Sequence, residues 1–220
     1  MNAGDIEYSH HQFDVIDSED IYEGAIMAVR RDKVRMPHGK EAYREVVEHF
    51  GAVAVVALDR NNRILMEHQY RHPVGTHLWE LPAGILDIAG ENPLHAAQRE
   101  LYEETGTKAA SWKIIADTVT SPGFADETVR IFLAQDLVSV ERPAAEDEEA
   151  DMTLHWFSLP RALEMVFAGD IVNSIAVAGI LGAAHLLGVS ISFSPRPADA
   201  PWPIRGRKFA QRKASHKEQH

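Results

Sequence analysis

Cysteine is absent from the 220 residues of this chain, and basic side chains are scarcer than acidic ones. Without cysteine the chain forms no disulfides and has no thiolate nucleophile or metal ligand. The formal net charge is −11, although residues 195–220 carry seven Lys or Arg against two acidic side chains, which leaves −16 on the preceding 194 residues. Such an acidic body repels nucleic acid, so a phosphate-bearing substrate would need a bridging metal to approach its carboxylates.

Long apolar runs and an export signal are also missing. Residues 171–189 approach the length of a membrane span, but Asn173, Ser174 and His185 interrupt them and Ala and Gly dominate them. We therefore predict a buried helix packed on a sheet, and no membrane span. The first residues lack a basic stretch followed by an apolar one, so we expect no secretory signal and a cytoplasmic protein.

The first half of the chain predicts strands. Residues 1–20 are polar, acidic and without period, which predicts a flexible N-terminal arm. Residues 21–50 begin a series of Val- and Ile-rich segments typical of a β-sheet, and the series continues to about residue 71. Asp59 to Asn62 supply turn residues between the last two of these strands.

The second half alternates helices and strands. After a helix at 92–107 we expect further strands, then an acidic loop at 141–151, a helix beginning near Pro160 and the Ala-rich helix described above. Residues 191–220 predict a mobile, basic, proline-containing tail. The expected strands lie at 112–118, 128–134 and 152–157.

The helix predicted at 92–107 has well-marked ends and an unusual charge pattern. Asn92 suits the N-cap, Pro93 the first turn, and Gly106 the left-handed position after the last turn. At about 100° per residue, Glu100 and Glu104 fall side by side on the flank of the apolar stripe. Like charges four residues apart destabilise an exposed helix by roughly 0.2 to 0.5 kcal/mol, so an offsetting interaction is expected.

Two explanations of this acidic helix are open. In the first, the acidic face is solvated and Arg99 pairs with Glu103. In the second, Glu100 and Glu104 converge with backbone carbonyls of the loop around Gly84 to hold a divalent cation. Carboxylate, carbonyl and water oxygens are the ligands that Mg²⁺ prefers.

The spacing of these residues resembles the signature of the Nudix hydrolases. Six residues rather than the usual five separate the signature's first Gly from its first Glu, and Thr107 stands where an aliphatic residue is usual. The extra residue lies in the loop before the helix and leaves the block within the helix intact. The matching positions are Gly84, Glu91, Arg99, Glu100, Leu101, Glu103, Glu104 and Gly106.

Other segments are similar to the ADP-ribose pyrophosphatase branch of that family, in particular its bacterial members. That branch has a proline about sixteen residues beyond the last Gly of the signature, and Pro122 lies sixteen residues after Gly106. The segments before the signature, the acidic loop and the last apolar helix are also similar. The resemblance covers about residues 24–187 and excludes the arm and the tail.

The resemblance implies an α/β (α+β) fold. Residues 51–190 would form a Nudix α/β/α sandwich with a mixed sheet. Residues 21–50 would form an N-terminal antiparallel β-sheet that is exchanged between the subunits of a homodimer. The implied reaction is metal-dependent hydrolysis of ADP-ribose to AMP and ribose 5-phosphate, with Mg²⁺, or Mn²⁺ in its place, as the cofactor.

The same resemblance implies roles for individual residues. The metal would be held by the carbonyl of Ala83 and by Glu100, Glu103 and Glu104, with Arg99 orienting the glutamates. The catalytic base would come from the acidic loop, with Glu149 the first choice and Glu148 the second. The residues expected to contact the substrate are Arg44, Glu45, Arg71, Pro122, Gly123 and Glu127.

Three alternative functions stay open. The substrate could be another nucleoside diphosphate sugar or a dinucleotide. The chain could also be a non-catalytic Nudix module that senses ADP-ribose, or an interaction protein whose acidic helix is solvated. The twelve histidines include no HExxH pair, and His68 and His72 are expected to be ordinary structural or surface residues.

Overall fold

The N-terminal sheet begins earlier than predicted. In the computed structural model, which describes residues 13–143, 151–206 and 208–217, strands β1 (Val15–Glu23), β2 (Met27–Arg35) and β3 (Glu41–His49) form an antiparallel sheet in that order. The prediction of a flexible arm over residues 1–20 is therefore wrong for residues 15–20. β1 is exposed along its whole length, and its acidic side chains lie opposite basic side chains of β2, as in the Glu19 and Arg31 pair. Its polar sequence is that of an edge strand.

Two further sheets follow. β4 (Ala52–Ala57), β7 (Ala83–Ile85), β8 (Thr107–Val119) and β9 (Thr128–Ser139) form a mixed sheet in the order β7-β4-β9-β8, where β4 and β9 are parallel. β5 (Arg63–Arg71), β6 (Thr76–Glu80) and β10 (Thr153–Ser158) form an antiparallel sheet in the order β10-β5-β6.

Helices cover both faces of the mixed sheet. On β4, Val53 and Val55 pack in one apolar cluster with α1 (Pro93–Thr105), while Ala54 and Val56 pack in a second cluster with α2 (Leu159–Ala168) and α3 (Ser174–Leu186). Because successive side chains of a strand point to opposite faces, one strand serves both clusters. The predicted α/β fold with helices on both sides of a mixed sheet is confirmed.

The Ala-rich helix α3 is buried against the mixed sheet, as the sequence predicts. A side chain at Gly179 would lie 2.7 Å from Leu81 and 2.8 Å from Val56, so the small residue permits the close approach. None of the helices in the described part of the chain has the length and apolarity needed to cross a membrane.

The segment after α3 packs on the body of the protein. The rings of Phe167 on α2 and Phe193 stack with centroids 3.7 Å apart at 11°. The guanidinium of Arg196 lies against Gly169, the residue that ends α2 in the left-handed conformation. A last helix, α4, spans Lys208–Lys217. Aromatic stacking thus joins the first part of the tail to α2, and the mobility of the tail stays a prediction.

Candidate metal and substrate site

The acidic helix α1 begins and ends as its sequence predicts. The side chain of Asn92 accepts a hydrogen bond of 2.9 Å from the backbone N–H of Leu94, and Gly106 takes the left-handed conformation with φ of 63°. A side chain at Gly106 would also lie 2.8 Å from the carbonyl oxygen of Val140. Both the backbone conformation and the tight packing therefore require glycine.

Glu100 and Glu104 face the short strand β7. Oε2 of Glu104 accepts a 2.9 Å hydrogen bond from the backbone N–H of Ala83, and Glu104 is only 9% exposed. The carboxylate of Glu100 occupies the space that a side chain at Gly84 would fill, since an added Cβ would lie 2.0 Å from its Cδ and Oε1. Because the two glutamates lie about one turn apart on the same side of the helix, their carboxylates lie against two adjacent backbone residues.

Arg99 balances part of this negative charge. Its guanidinium donates hydrogen bonds to Glu91 at 3.1 and 3.2 Å, to Glu100 at 2.7 Å and to Glu103 at 3.0 Å. The hydrogen bond with Glu91, followed by those with Glu103 and Glu100, raises the pKa of Arg99 although burial opposes the shift. The same contact with Arg99 lowers the pKa of Glu91 below its ordinary value. Both groups are therefore held in their charged forms.

The residues fit a hard divalent cation by their chemistry. Among residues 13–143, 151–206 and 208–217, no three His, Asp or Glu side chains are already grouped around one metal-sized point. Nevertheless, the carboxylates of Glu100 and Glu104 both lie against the backbone of Ala83 and Gly84. The carboxylate of Glu100 has room there because Gly84 has no side chain. The two carboxylates supply oxygen donors of the kind that Mg²⁺ and Mn²⁺ prefer, and the observed backbone contact is with the N–H of Ala83.

A cavity of about 530 Å³ lies beside Ala83 and Gly84, the two backbone residues that these carboxylates touch. Ala83 and Gly84 line one side of it, and the two predicted substrate residues Arg71 and Glu127 line it as well. Its wall also includes Asn173, which caps the first turn of α3 through hydrogen bonds to two backbone N–H groups. Of the predicted site residues, Ala83, Arg71 and Glu127 therefore line one opening, while Glu100, Glu103 and Glu104 are not among the described residues that line it.

Arg71 and Glu127 are each held in place by side chains that the sequence did not identify as their partners. Arg71 donates hydrogen bonds of 3.1 and 2.9 Å to the two oxygens of the buried carboxylate of Glu80. Glu127 accepts a hydrogen bond from the hydroxyl of Thr120 and lies 3.6 Å from Nδ1 of His49. Each pair joins residues of different strands or loops. The pairs could therefore be predicted only if the register between those strands were known.

The other predicted substrate residues lie apart from the cavity within one chain. Arg44 and Glu45 are on β3 and are not among the described residues that line it. Pro122 and Gly123 belong to a turn that lies beside β3, where the N–H of Val47 donates a 2.7 Å hydrogen bond to the carbonyl of Phe124. Their roles in substrate binding stay predictions.

The two candidate bases, Glu148 and Glu149, lie outside the described residues. The residues on either side of their loop are described. Before it, Nε of Arg142 donates a 3.1 Å hydrogen bond to the carbonyl of Glu103 on α1. After it, Asp151 lies 3.1 Å from Nε2 of His77 on β6. The loop therefore starts at the acidic helix.

Comparison with known proteins places the chain in a family. The NUDIX domain matches residues 48–173, which is more than half of the chain and contains the whole acidic helix and β7. This chain belongs to the NUDIX family. The nucleoside diphosphate sugar hydrolase N-terminal domain matches residues 13–47, the part that forms the N-terminal sheet.

Several curated relatives are similar over most of their length. An ADP-ribose pyrophosphatase of Mycobacterium tuberculosis is 52% identical over 94% of this chain and 99% of its own. A methanol dehydrogenase activator of Bacillus methanolicus is 38% identical over 75% and 89%, and an ADP-ribose pyrophosphatase of Bacillus subtilis is 38% identical over 72% and 85%. A solved ADP compounds hydrolase shares the fold, with a TM-score of 0.70 at 18% identity over 83% of this chain and 97% of its own.

Proposed function

We propose that this Nudix protein hydrolyses the pyrophosphate of ADP-ribose to AMP and ribose 5-phosphate, with Mg²⁺ as the cofactor and Mn²⁺ as a working substitute. The observation that carries the proposal is that Ala83 and Gly84, against which the Glu100 and Glu104 carboxylates lie, line the same cavity as Arg71 and Glu127. The full-length similarity to an ADP-ribose pyrophosphatase supports the choice of substrate.

The proposed chemistry is an attack of water on one phosphorus of the pyrophosphate. The bond from that phosphorus to the bridging oxygen breaks, and the bridging oxygen leaves with the other phosphate. A divalent cation, when held by Glu100, Glu103, Glu104 and the carbonyl of Ala83, supplies positive charge against the phosphates and lowers the pKa of the attacking water. Arg99 keeps the glutamates in position, because its guanidinium bridges three of them.

The substrate residues would act by position and charge. Arg71, held in place by its two hydrogen bonds to Glu80, would bring its positive charge to a phosphate or to the terminal ribose. Glu127, fixed by Thr120, accepts hydrogen bonds from ribose hydroxyls. Both side chains are pre-oriented by protein partners, which lowers the entropy cost of binding.

We propose Glu149 as the base that removes the proton from the attacking water, with Glu148 as the second choice. The contact between Arg142 and the carbonyl of Glu103 supports this, because the loop that carries both residues begins beside the acidic helix. Glu149→Gln should cut turnover by orders of magnitude while substrate affinity, measured without turnover, stays near normal. A near-normal rate would transfer the role to Glu148 or to another residue.

We also propose a homodimer that exchanges the N-terminal sheet. Support comes from exposed apolar side chains on that sheet, among them Val15, Ile21, Tyr22 and Tyr43, which would be buried against a second copy. Arg44 would then approach the partner's cavity. Light scattering should give about twice the 24.5 kDa chain mass, whereas a monomer at micromolar concentration would contradict the exchange. The cytoplasmic location stays a prediction.

A second candidate substrate class is another nucleoside diphosphate sugar, because the N-terminal domain match carries that description. A panel of ADP-ribose, ADP-glucose, ADP-mannose and a dinucleotide, assayed for AMP release with Mg²⁺ or Mn²⁺, separates the candidates. We expect the highest kcat/KM for ADP-ribose, and equal or better turnover of a dinucleotide would overturn that assignment. Glu104→Gln should abolish activity, and Glu164→Gln on the exposed face of α2 is the matched control.

A further inference from the structure

A second, larger cavity lies between the tail and the turn that joins β5 to β6. It encloses about 780 Å³ and is lined by residues 73–78 on one side, by residues 169, 170 and 172 after α2, and by residues 196, 201–206, 208 and 209 on the other side. The stacked rings of Phe167 and Phe193 and the contact of Arg196 with Gly169 hold the tail in place. None of the roles assigned above uses this tail cavity.

The charge of the tail cavity is opposite to that of the protein. Arg196, Arg205 and Lys208 line it, against one carboxylate, Asp170, and one imidazole, His77. In the described part of the chain, none of the three cations takes part in a side-chain ion pair with an acidic residue. Three cations that no acidic side chain of residues 13–143, 151–206 and 208–217 pairs with, in a chain of net charge −11, concentrate positive potential at this cavity.

Arg196 and Arg205 have different surroundings in the tail cavity. The guanidinium of Arg196 lies at the C-terminal end of α2, where a positive charge is favourable. Arg205 lies beside an aromatic ring instead, with its guanidinium carbon 5.8 Å from the ring centre of Trp202. Trp202 lines the same cavity and is 65% exposed, so its ring is open to a planar ligand.

An exposed indole beside an arginine and a lysine is suited to a ligand that has a flat base and a phosphate. We propose that the tail cavity binds a free nucleoside monophosphate, with the base stacked on Trp202 and the phosphate between Arg205 and Lys208. The tail cavity shares Pro73 and Val74 with the cavity beside Glu100, so its ligand would contact the same turn as the substrate. The proposal concerns binding alone and does not depend on the reaction proposed above.

The test is calorimetric titration of the full chain with AMP in the absence of divalent cations. The double variant Arg205→Ala/Lys208→Ala and the single variant Trp202→Ala should each lower the affinity for one AMP per chain at least tenfold. Trp202→Phe should restore part of the loss. The control is Arg161→Ala, which removes an exposed arginine of α2 that pairs with Glu164 and does not line the cavity.

Unchanged AMP titrations in both the double variant and Trp202→Ala would overturn the proposal, because AMP held at the catalytic cavity does not need those residues. Inorganic phosphate that binds as tightly as AMP would also overturn it, since the base would then contribute nothing. So would an oligoadenylate whose affinity rises steeply with length, which would indicate nucleic acid. Quenching of Trp202 emission by AMP, taken as the difference between wild type and Trp202→Phe, is a second measurement that needs no destabilised variant.

Discussion

A methyl group added at Gly84 tests whether the position of the Glu100 carboxylate matters to activity. The new Cβ would lie 2.0 Å from Cδ and Oε1 of Glu100 and 2.4 Å from its Cγ, whereas ordinary contacts begin at 3.4 Å. The carboxylate would therefore move by about 1.4 Å, and a displacement of about 1 Å at a reacting group costs on the order of 100-fold in rate. We expect Gly84→Ala to lower kcat at least 100-fold.

The same substitution should leave the fold nearly unchanged. The backbone of Gly84 does not have a positive φ, so alanine is tolerated there. Alanine also lowers the conformational entropy of the unfolded chain, which raises the free energy of unfolding by about 0.4 to 1 kcal/mol. Moving Glu100 off its preferred rotamer costs about 0.5 to 1.5 kcal/mol. The two effects nearly cancel, and the melting temperature should shift by only a few degrees.

The assay is AMP release at saturating ADP-ribose and Mg²⁺, beside a thermal melt of each variant. The control is a double-mutant cycle with Glu100→Gln, because Gly84→Ala should add little further loss when the carboxylate is already absent. Gly84→Ala with activity within threefold of wild type would refute the reasoning, as would full additivity of the two losses.

Three further predictions concern stability and charge. Gly106→Ala should destabilise the fold by about 1 to 3 kcal/mol in denaturant titrations, because a positive φ and the contact with Val140 both reject a side chain. Arg99→Ala should lower kcat/KM about 10- to 100-fold. In wild type the lowered pKa of Glu91 stabilises the fold above about pH 4.5, and this stabilisation is lost as the pH falls. Arg99→Ala should remove it. Burial lowers the pKa of His68, so the unfolding free energy should fall as the pH drops below about 6.5, and His68→Phe should flatten that fall in melts between pH 7 and 5.

The acidic helix could be predicted from sequence because its determinants are local. The cap at Asn92 and the left-handed glycine at Gly106 bound one short stretch, within which the apolar stripe repeats every three to four residues. The position of Glu100 and Glu104 beside the stripe follows from helical geometry alone. Their approach to the segment before the helix also follows, because β7 precedes the helix by a short loop, whereas the hydrogen bond from the N–H of Ala83 to Glu104 was not predicted.

Long-range pairings are the part that could not be predicted. β1 looks like a flexible segment until Arg30 and Arg31 of β2 lie opposite its acidic side chains. Nothing in the sequence around His68 indicates its partners. The pairing of β5 with β6 stacks its ring on that of His77, with centroids 5.1 Å apart, and places its centroid 4.4 Å from that of Trp79. A sequence pattern within one strand contains no information about which strand lies beside it.

The account depends on a divalent cation at the two carboxylates beside β7. The most direct measurement is anomalous diffraction from crystals of the full chain soaked in Mn²⁺ with a non-hydrolysable analogue of ADP-ribose. We predict an anomalous peak within about 2.5 Å of carboxylate oxygens of both Glu100 and Glu104 and of the carbonyl oxygen of Ala83. A well-ordered analogue with no anomalous peak there, and with Glu100 and Glu104 still bound to Arg99 and to the N–H of Ala83, would contradict the account.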